Sequence, residues 1–308
     1  MIDGDARLAR VLALLRSNKP VNELFVAPEV EAIANAGSAP AALLAATIAA
    51  LGFGRAQSWS DALAWLAYAA ERGETAARAQ LRLLSSEAGD SWRAMAAAVD
   101  VAAWIAARPR EMVIDSPRIG MAHGFIDPPL CAWLVSRARP MQGDARVYAA
   151  TADGRSSEAR TNSEASFTMA DLDLPLLLLR ARIANTMGTP ASHLERVSVF
   201  RYLVGQTFAP HVDFIEAATS LLAEDIARRG QRVATFLIYL NAEFEAGETH
   251  FLELGRKLRG APGDAVFFYN VDEAGRPDPR TRHEGAAPTS GEKWLLSQFI
   301  RDREQAPS

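Results

Sequence analysis

The chain changes its apolar periodicity once, near Arg108-Pro109-Arg110, and this change restricts its possible folds more than any other feature. Before it, alanine and leucine dominate, β-branched residues are sparse, and apolar residues recur at intervals of three and four, as in helices. After it, short apolar runs alternate with glycine-containing turns, which is typical of strands. Proline disfavours helix at the residue before it, so we predict one domain at 1–107 and a second at 108–308.

The first domain is predicted to be helical throughout. Its candidate helices are Ala6–Ser17, Pro28–Ala36, Pro40–Gly52, Ser60–Arg72, Thr75–Ser86 and Ser91–Ala107. Ala34–Gly37 and Ala70–Gly73 form a weak internal repeat, and Trp65–Leu81 resembles a Sel1-like repeat, which is related to the TPR. Two interpretations remain open for this region: a scaffold that binds a partner or a substrate peptide, and a helical subdomain or dimerisation element that only covers the second domain.

Composition excludes several classes of protein. The single cysteine, Cys131, excludes a disulfide scaffold and cysteine-based zinc sites. A net charge of -4 gives no indication of a nucleic-acid-binding tail. The acidic N-terminus lacks the features of a signal peptide, and the longest apolar run, Ala39–Gly54, is too short to span a bilayer. We therefore expect a cytoplasmic protein that binds neither nucleic acid nor a membrane.

The second domain is predicted to be rich in strands. The candidate strands are Met112–Asp115, Ile119–Ala122, Arg146–Ala150, Glu195–Leu203, Arg232–Asn241, Thr249–Leu252, Ala265–Tyr269 and Trp294–Ile300. Helices are predicted at Pro128–Arg139 and Leu174–Gly188, a polar loop at Thr151–Ser166, and a segment with a short helix at Glu216–Gln231. Helices first and clustered strands last predict an α+β chain in which helices buttress an antiparallel double-sheet barrel.

A pair of polar residues, His211 and Asp213, stands out in this domain. Because side chains alternate along a strand, residues two apart leave the same face. With a second imidazole from a distant strand, the pair would form the 2-His-1-carboxylate triad of non-haem Fe(II) oxygenases. A polar pair at a strand end has the same spacing, so the pair alone does not decide. Lys293 also stands out, because only three of the 33 basic residues are lysines.

Residues from about 119 to 303 resemble the catalytic domain of prolyl 4-hydroxylases, in the Fe(II)/2-oxoglutarate dioxygenase superfamily. The matching segments are Arg160–Asn162, Arg196–Tyr202, Gly205–Phe208, His211–Asp213, Arg232–Asn241, Ala246–Phe251, Pro262–Ala265, His283–Gly285 and Gly291–Trp294. There are two departures. Ala246 replaces the first glycine of the family's Gly-Gly-Glu-Thr, and Gly285–Pro288 lacks the bulky aliphatic residue that the family often has there. Both bear on the substrate rather than on the iron chemistry.

The resemblance implies a double-stranded β-helix, or jelly roll, and a set of site residues. His211, Asp213 and His283 are implied to bind Fe(II). Lys293, Tyr202 and Thr235 are implied to hold the 5-carboxylate of 2-oxoglutarate, and Arg160 is a candidate to orient the substrate. Outside this pattern, these last four would be interpreted as a solvated lysine, an aromatic core residue, a strand residue and a surface arginine. The remaining strand histidine, His250, is expected at an exposed position rather than as a ligand.

The implied activity is hydroxylation of an unactivated C–H bond, in a prolyl residue of a peptide or protein. O2 is the oxidant, and succinate and CO2 are the co-products; ascorbate is a candidate further cofactor. One alternative keeps these cofactors but hydroxylates a free amino acid or small molecule. Another is a binding module that senses 2-oxoglutarate or O2 and binds a partner, or a second copy of itself, through the helical region. An open groove would favour a peptide, whereas an enclosed cavity would favour a small molecule.

Overall fold

The computed structural model describes residues 4–17, 21–144 and 160–305. Its helices are α1 Gly4–Arg16, α2 Glu23–Asn35, α3 Ala39–Leu51, α4 Trp59–Glu71, α5 Thr75–Leu84, α6 Trp92–Ala97, α7 Val101–Ile105, α8 Pro128–Ala138, α9 Leu174–Met187 and α10 Ser220–Arg229. Its strands are β1 Glu111–Ile114, β2 Ile119–Ala122, β3 Gly143–Asp144, β4 Ser163–Ser166, β5 Ser198–Tyr202, β6 Phe208–His211, β7 Arg232–Tyr239, β8 Phe244–Ala246, β9 Thr249–Phe251, β10 Arg256–Leu258, β11 Ala265–Tyr269, β12 His283–Gly285, β13 Pro288–Gly291 and β14 Lys293–Arg301. The strand predicted at Arg146–Ala150 lies outside the described residues.

The described residues form two compact units. One comprises those within Met1–Ala106 together with Phe167–Asn185, and the other comprises those within Ala107–Ser166 and Thr186–Ala306. The domain boundary that we predicted at 107/108 stays a prediction.

The first unit is helical, as expected. Helices α2 and α4 begin 36 residues apart, at Glu23 and Trp59, and α3 and α5 begin at the same offset. Gly37 and Gly73 lie in the turns that follow α2 and α4, both with positive φ, a conformation that glycine adopts without strain. The weak sequence repeat therefore corresponds to two successive helical hairpins. Their assignment to the Sel1-like or TPR-like class stays a prediction.

The alanine-rich helix α3 packs between α2 and α4 and is buried over most of its surface. Small side chains allow the helix backbones to approach closely. The core also takes in Leu174, Leu177 and Leu178 from α9. No helix in the described part of the chain combines the length and the apolar character needed to cross a membrane.

The second unit is a jelly roll of antiparallel sheets. The large sheet has the strand order β1-β2-β11-β7-β14-β5-β4-β3, and a four-stranded sheet has the order β10-β9-β12-β6. A two-stranded ribbon, β13-β8, completes the unit. The fold class that we predicted, a helical region followed by a jelly roll, is confirmed.

Two local predictions were wrong. The helix expected at Ser91–Ala107 is divided into α6 and α7, because the side chain of Asp100 accepts a hydrogen bond from Ala103 N at 3.0 Å and caps a new helix. The loop expected at Thr151–Ser166 ends in a strand, β4, which pairs with β5 on one side and β3 on the other. A polar sequence such as Ser163-Glu164-Ala165-Ser166 gives no apolar alternation to indicate such a strand.

Candidate active site

The two sequence-distant histidines are brought together by pairing of β6 with β12. His211 ends β6 and His283 begins β12, and the two lie directly opposite each other in the antiparallel register. Asp213 follows His211 by two residues. Each of the three side chains offers one ligand atom, a ring nitrogen or a carboxylate oxygen, and these three atoms lie within 4.8 Å of one another. The convergence that the sequence predicted is therefore present in the fold.

Both imidazoles are oriented by backbone carbonyl groups. His211 Nδ1 lies 2.8 Å from the Ala209 carbonyl oxygen, and His283 Nδ1 lies 3.0 Å from that of Thr281. A carbonyl can only accept, so each Nδ1 must carry the proton and donate. In the neutral form of such a ring the lone pair is on Nε2. This atom lies 3.4 Å from Asp213 Oδ1 for His211 and 3.7 Å from Asp213 Oδ2 for His283. Metal-binding histidines are held in this way.

Asp213 is buried, and its carboxylate accepts a hydrogen bond from Thr235 Oγ1 at 2.7 Å. Burial acts to raise the pKa of Asp213, but His283, His211 and the Thr235 hydroxyl outweigh it and hold the pKa well below its usual range. Burial, followed by the proximity of His211, lowers the pKa of His283 to about 4. At neutral pH the site therefore offers an anionic carboxylate and a neutral imidazole, the protonation states that metal binding requires.

The three side chains open into a cavity inside the jelly roll. The strand β14 contributes alternate residues to its lining, Lys293, Leu295, Ser297 and Phe299, because successive side chains point to opposite faces. Lys293 is fully buried, and its Nζ has no hydrogen-bond partner among the residues that the structure describes. Burial lowers the pKa of Lys293 to about 7, with Glu248 opposing the shift and Arg259 adding to it.

Aromatic rings surround the Lys293 ammonium group. Its Nζ lies 4.7 Å from the ring centroid of Tyr202 and 5.4 Å from that of Tyr239, so both π faces attract the charge. Burial raises the pKa of Tyr202 well above its usual range, so its hydroxyl stays protonated and can donate. A Cβ atom at Gly285 would come within 3.0 Å of that hydroxyl, so the absence of a side chain there leaves room for Tyr202.

Thr235 contacts Asp213 and does not lie beside Lys293. It is on the same face of β7 as the cavity-lining Leu237, but its hydroxyl bonds to Asp213. The contact that we predicted between Thr235 and 2-oxoglutarate stays a prediction, and the observed bond favours a role in positioning the carboxylate. The threonine that does line the cavity is Thr249, whose hydroxyl lies 3.0 Å from that of Tyr239. The sequence feature that could have indicated Thr249 is its position at the end of the Gly-Glu-Thr turn that leads into a strand.

Arg160 is packed among aromatic rings. Its side chain is only 7% exposed, and its guanidinium carbon lies 4.4 Å from the ring centroid of Phe200 and 4.3 Å from that of Phe208. The Phe208 ring in turn stacks on the His211 imidazole, with centroids 3.5 Å apart and planes 16° from parallel. Arg160 thus lies behind a ring that supports His211, and its predicted contact with substrate stays a prediction.

His250 is not an exposed and unengaged strand residue. It is half-buried, and its Nδ1 lies 2.9 Å from Glu284 Oε1, because β9 and β12 place the two residues opposite each other. It does not belong to the group of residues that could hold a metal.

An open groove of about 580 Å³ lies on a second side of His211. Pro210, Val212, Phe214 and Pro279 give it apolar lining, and charged side chains of both signs also line it, namely Glu216, Glu253, Arg280 and Arg282. His211 lines both the groove and the internal cavity. A molecule in the groove and a molecule in the cavity can therefore approach the same imidazole.

The side chains that line the cavity suit iron and an anionic group. Two imidazoles and a carboxylate leave coordination positions vacant on Fe(II) for further ligands. The buried Lys293 ammonium lacks a hydrogen-bond acceptor among the described residues, and a carboxylate supplies one. The side chains present are thus suited to hold Fe(II) at one part of the cavity and an anionic group at another.

Comparison with known proteins agrees with this chemistry. Residues 197–301 match the 2OG-Fe(II) oxygenase superfamily. Prolyl 4-hydroxylase 1 of Arabidopsis thaliana is 34% identical over 208 residues, which are 63% of this chain and 72% of that protein. Prolyl 4-hydroxylase subunit alpha-1 of Rattus norvegicus is 28% identical over 192 residues, covering 62% of this chain and 36% of that protein.

Among solved structures, the 2OG complex of the viral collagen prolyl hydroxylase of Paramecium Bursaria Chlorella virus-1 is similar. It is 24% identical and has a TM-score of 0.48, and the match covers 61% of this chain and 98% of that one. Members of the superfamily use Fe(II), 2-oxoglutarate and O2. On the strength of the match to the Arabidopsis protein and of the superfamily match, this chain belongs to the prolyl 4-hydroxylases, within the 2OG-Fe(II) oxygenase superfamily.

Proposed function

We propose that the chain is an Fe(II)- and 2-oxoglutarate-dependent hydroxylase of prolyl residues in a peptide or protein, with His211, Asp213 and His283 as its iron ligands. The observation that carries this proposal is the shared cavity. Two imidazoles and an ionised carboxylate line the same internal space as a buried ammonium without a hydrogen-bond acceptor among the described residues. This combination serves to hold a metal and an anionic co-substrate together.

Iron held by His211, Asp213 and His283 would supply, together with 2-oxoglutarate, the activation of O2 by which one oxygen atom enters a substrate C–H bond and the other enters succinate, with loss of CO2. The protein residues have other tasks. Lys293 attracts the 5-carboxylate, and the protonated Tyr202 hydroxyl can donate a hydrogen bond to it. Thr235 fixes the carboxylate of Asp213, and Leu237 and Leu295 keep the cavity apolar and exclude water.

A peptide substrate is supported by the open groove beside His211. An extended chain can lie in a groove of this volume, with one side chain directed towards the metal ligands. The groove lining combines apolar surface with charges of both signs, which suits a polypeptide better than a single small anion. The names of the relatives, prolyl 4-hydroxylases, support proline as the residue that is modified.

Several further points are proposals that come from the sequence alone. Ascorbate is proposed as an additional cofactor. The helical region is proposed to be Sel1-like and to bind a partner or a second copy of the chain, and the location is proposed to be cytoplasmic. The substrate role of Arg160 and the domain division at 107/108 belong to the same group.

A peptide library with proline in varied sequence contexts tests the function directly. We expect Fe(II), 2-oxoglutarate and O2 to add one oxygen atom to proline-containing members, with one succinate per oxygen added, as measured by mass spectrometry. Asp213→Ala should abolish both products. Modification of free proline or another small molecule, with every peptide left unchanged, would establish the small-molecule alternative. Binding of 2-oxoglutarate without any succinate release would favour the sensing module.

A further inference from the structure

Asn270 is a fully buried residue immediately after β11, and sequence reasoning assigned it no role. Its side-chain Nδ2 lies 3.1 Å from Thr235 Oγ1, and that hydroxyl lies 2.7 Å from Asp213 Oδ2. Three side chains from different parts of the chain are thus connected by two consecutive hydrogen bonds. The connection ends on a proposed iron ligand.

The direction of this connection follows from hydrogen-bond chemistry. A carboxylate that binds a metal is deprotonated and can only accept, so Thr235 must donate its single hydroxyl hydrogen to Asp213. Thr235 can then only accept from its other neighbour, which requires the NH2 group of Asn270 to face it. The Asn270 amide therefore fixes the orientation of the hydroxyl, and the hydroxyl fixes the carboxylate.

The backbone of Asn270 supports a second ligand independently. Its carbonyl oxygen accepts a hydrogen bond from Asp278 N at 2.9 Å. Both the backbone N and the Oγ1 of Thr281 donate to the Asp278 carbonyl, at 3.1 and 2.7 Å. The Thr281 carbonyl is the group that holds His283 Nδ1. The short turn that carries His283 is thus anchored to the same residue.

We infer that Asn270 is a positioning residue of the metal centre, which orients Asp213 through Thr235 and anchors the turn that carries His283. The inference rests on the proposed function, because it assumes that these side chains bind iron. It adds a residue that touches neither metal nor substrate. Groups that orient metal ligands typically contribute about 10- to 100-fold to metal affinity.

The side-chain path can be removed without the backbone path. In Asn270→Ala, the Thr235 hydroxyl loses the donor that orients it, and the Asp213 carboxylate loses its fixed direction. We expect Fe(II) to bind about tenfold more weakly, or worse still. Thr235→Val, which keeps the shape of threonine but has no hydroxyl, should weaken binding by a similar factor. Because both changes interrupt the same path of hydrogen bonds, the double variant should lose little more Fe(II) affinity than the single variant that binds Fe(II) more weakly.

The experiment is anaerobic calorimetric titration of Fe(II) into the full chain without 2-oxoglutarate, with thermal melting to verify folding. Asn241→Ala is the matched control, since its amide bonds to the backbone of Glu292 and Trp294 rather than towards Asp213. We expect the control to bind Fe(II) like the unchanged chain. Thr235→Ser, which restores the hydroxyl, should recover most of the affinity lost in Thr235→Val.

The outcomes separate this inference from the proposed function. If the unchanged chain does not bind Fe(II), the proposed function fails. If the unchanged chain binds Fe(II) and a folded Asn270→Ala variant has an Fe(II) affinity within about twofold of it, the positioning role is excluded. If the losses of Fe(II) affinity in Asn270→Ala and Thr235→Val add fully in the double variant, the relay through Thr235 is excluded. Should Asn270→Ala not fold, Asn270→Asp decides the same question. Its carboxylate accepts from Thr235 and competes with Asp213, so undiminished affinity would contradict the inference.

Discussion

Lys293 is a buried ammonium group whose charge depends strongly on its surroundings. Burial lowers its pKa from the usual 10.5 to about 7, so that the amine is largely neutral above that pH in the protein without a bound anion. A carboxylate bound beside it would stabilise the charged form and raise the pKa again. Binding of an anion above pH 7 therefore requires uptake of a proton.

This linkage predicts how 2-oxoglutarate affinity varies with pH. We expect the affinity to be highest below the folded pKa of Lys293 and to fall by up to about tenfold per unit as pH rises above about 7. Lys293→Met should weaken binding and make it nearly independent of pH between about 7 and 9. Anaerobic titration with 2-oxoglutarate at several pH values measures both effects. An affinity that is flat across this range in the unchanged chain would exclude Lys293 as the anion partner.

Phe208 supports His211 through a stacked ring, with 3.5 Å between centroids. Phe208→Leu removes the flat surface on which the imidazole rests, so we expect Fe(II) affinity to drop by about tenfold. Phe208→Tyr keeps the aromatic ring and should retain the Fe(II) affinity of the unchanged chain. Phe299→Leu is the matched control, because Phe299 lines the same cavity and stacks with Arg232 rather than with a histidine. Equal losses in the Phe208→Leu and Phe299→Leu variants would show a general effect of cavity packing instead.

At the scale of residues, the sequence predicted the triad and Lys293 but not their supporting contacts. Spacing and resemblance located His211, Asp213 and His283 because ligands must converge. Thr235 illustrates the limit. A hydroxyl on the cavity face of a strand can bond to a metal ligand or to a co-substrate, and which it does depends on its depth along the barrel. Asn270 carried no signal, because a polar residue directly after a strand is ordinarily assigned to a turn.

The end of β8 and the turn that follows it contain an unusual backbone conformation. Ala246 has φ of 57° and Gly247 has φ of 73°, so two successive residues adopt the left-handed conformation. That conformation costs a residue with a Cβ about 1–2 kcal/mol, while glycine itself loses about 0.5–1 kcal/mol of chain entropy. The departure from Gly-Gly-Glu-Thr at Ala246 therefore has a cost in strain.

We accordingly expect Ala246→Gly to raise the free energy of unfolding by up to about 1 kcal/mol. Gly247→Ala should lower it, because the added Cβ would also lie 3.0 Å from the Phe244 ring. Urea denaturation of both variants measures the difference. A loss of stability in Ala246→Gly would contradict this explanation of the turn.

Helix α10 is tied to the large sheet by buried ion pairs. Arg301, which is fully buried, donates to Glu195 Oε1 at 2.5 Å and to Asp225 Oδ2 of α10 at 2.8 Å. Arg232 also donates to Glu195, at 2.7 and 2.9 Å. Burial acts to raise the pKa of Glu195, but the two guanidinium groups outweigh it and lower the pKa to about 2.

Because the folded pKa of Glu195 is depressed, its contribution to stability is fully present above the ordinary glutamate pKa of about 4.5. It is lost as pH falls from there towards about 2. Glu195→Gln leaves buried cations with less compensation and should cost about 3–5 kcal/mol at neutral pH, measured by urea denaturation. The half-exposed Glu253, 3.5 Å from Arg282, is the control, and Glu253→Gln should cost less than about 1 kcal/mol. Similar costs for the two variants would show that the buried ion pairs of Glu195 stabilise the fold no more than an exposed pair does.

At the scale of elements, long and strongly patterned segments were predictable, and short polar ones were not. The strands around Arg232–Tyr239 and Lys293–Arg301 are buried and rich in apolar residues, and the sequence located them closely. Strand β4 has no such pattern, since its pairing with β5 rather than its composition makes it a strand. The break between α6 and α7 depends on a single capping residue, Asp100, inside a run of helix-forming residues.

At the scale of the whole molecule, the sequence predicted a helical part and a jelly roll but not every segment's place. The apolar run at Leu174–Gly188 predicts a helix in the strand-rich domain, yet Phe167–Asn185 belongs to the first unit. Nothing in local periodicity reveals which core a buried helix joins, because both cores are apolar. Pairing of β6 with β12, which joins residues about seventy positions apart, was accessible only through the family resemblance, which implies that His211, Asp213 and His283 meet.

The central claim is that His211, Asp213 and His283 bind one Fe(II) to which 2-oxoglutarate can coordinate. Anaerobic addition of Fe(II) and 2-oxoglutarate, followed by visible absorption spectroscopy, tests it most directly, because a keto acid chelated to Fe(II) has a metal-to-ligand charge-transfer band. We predict this band in the unchanged chain, with one iron per chain, and its loss in Asp213→Ala and His283→Ala. Absence of the band in the unchanged chain, or its full retention in both variants, would contradict the claim.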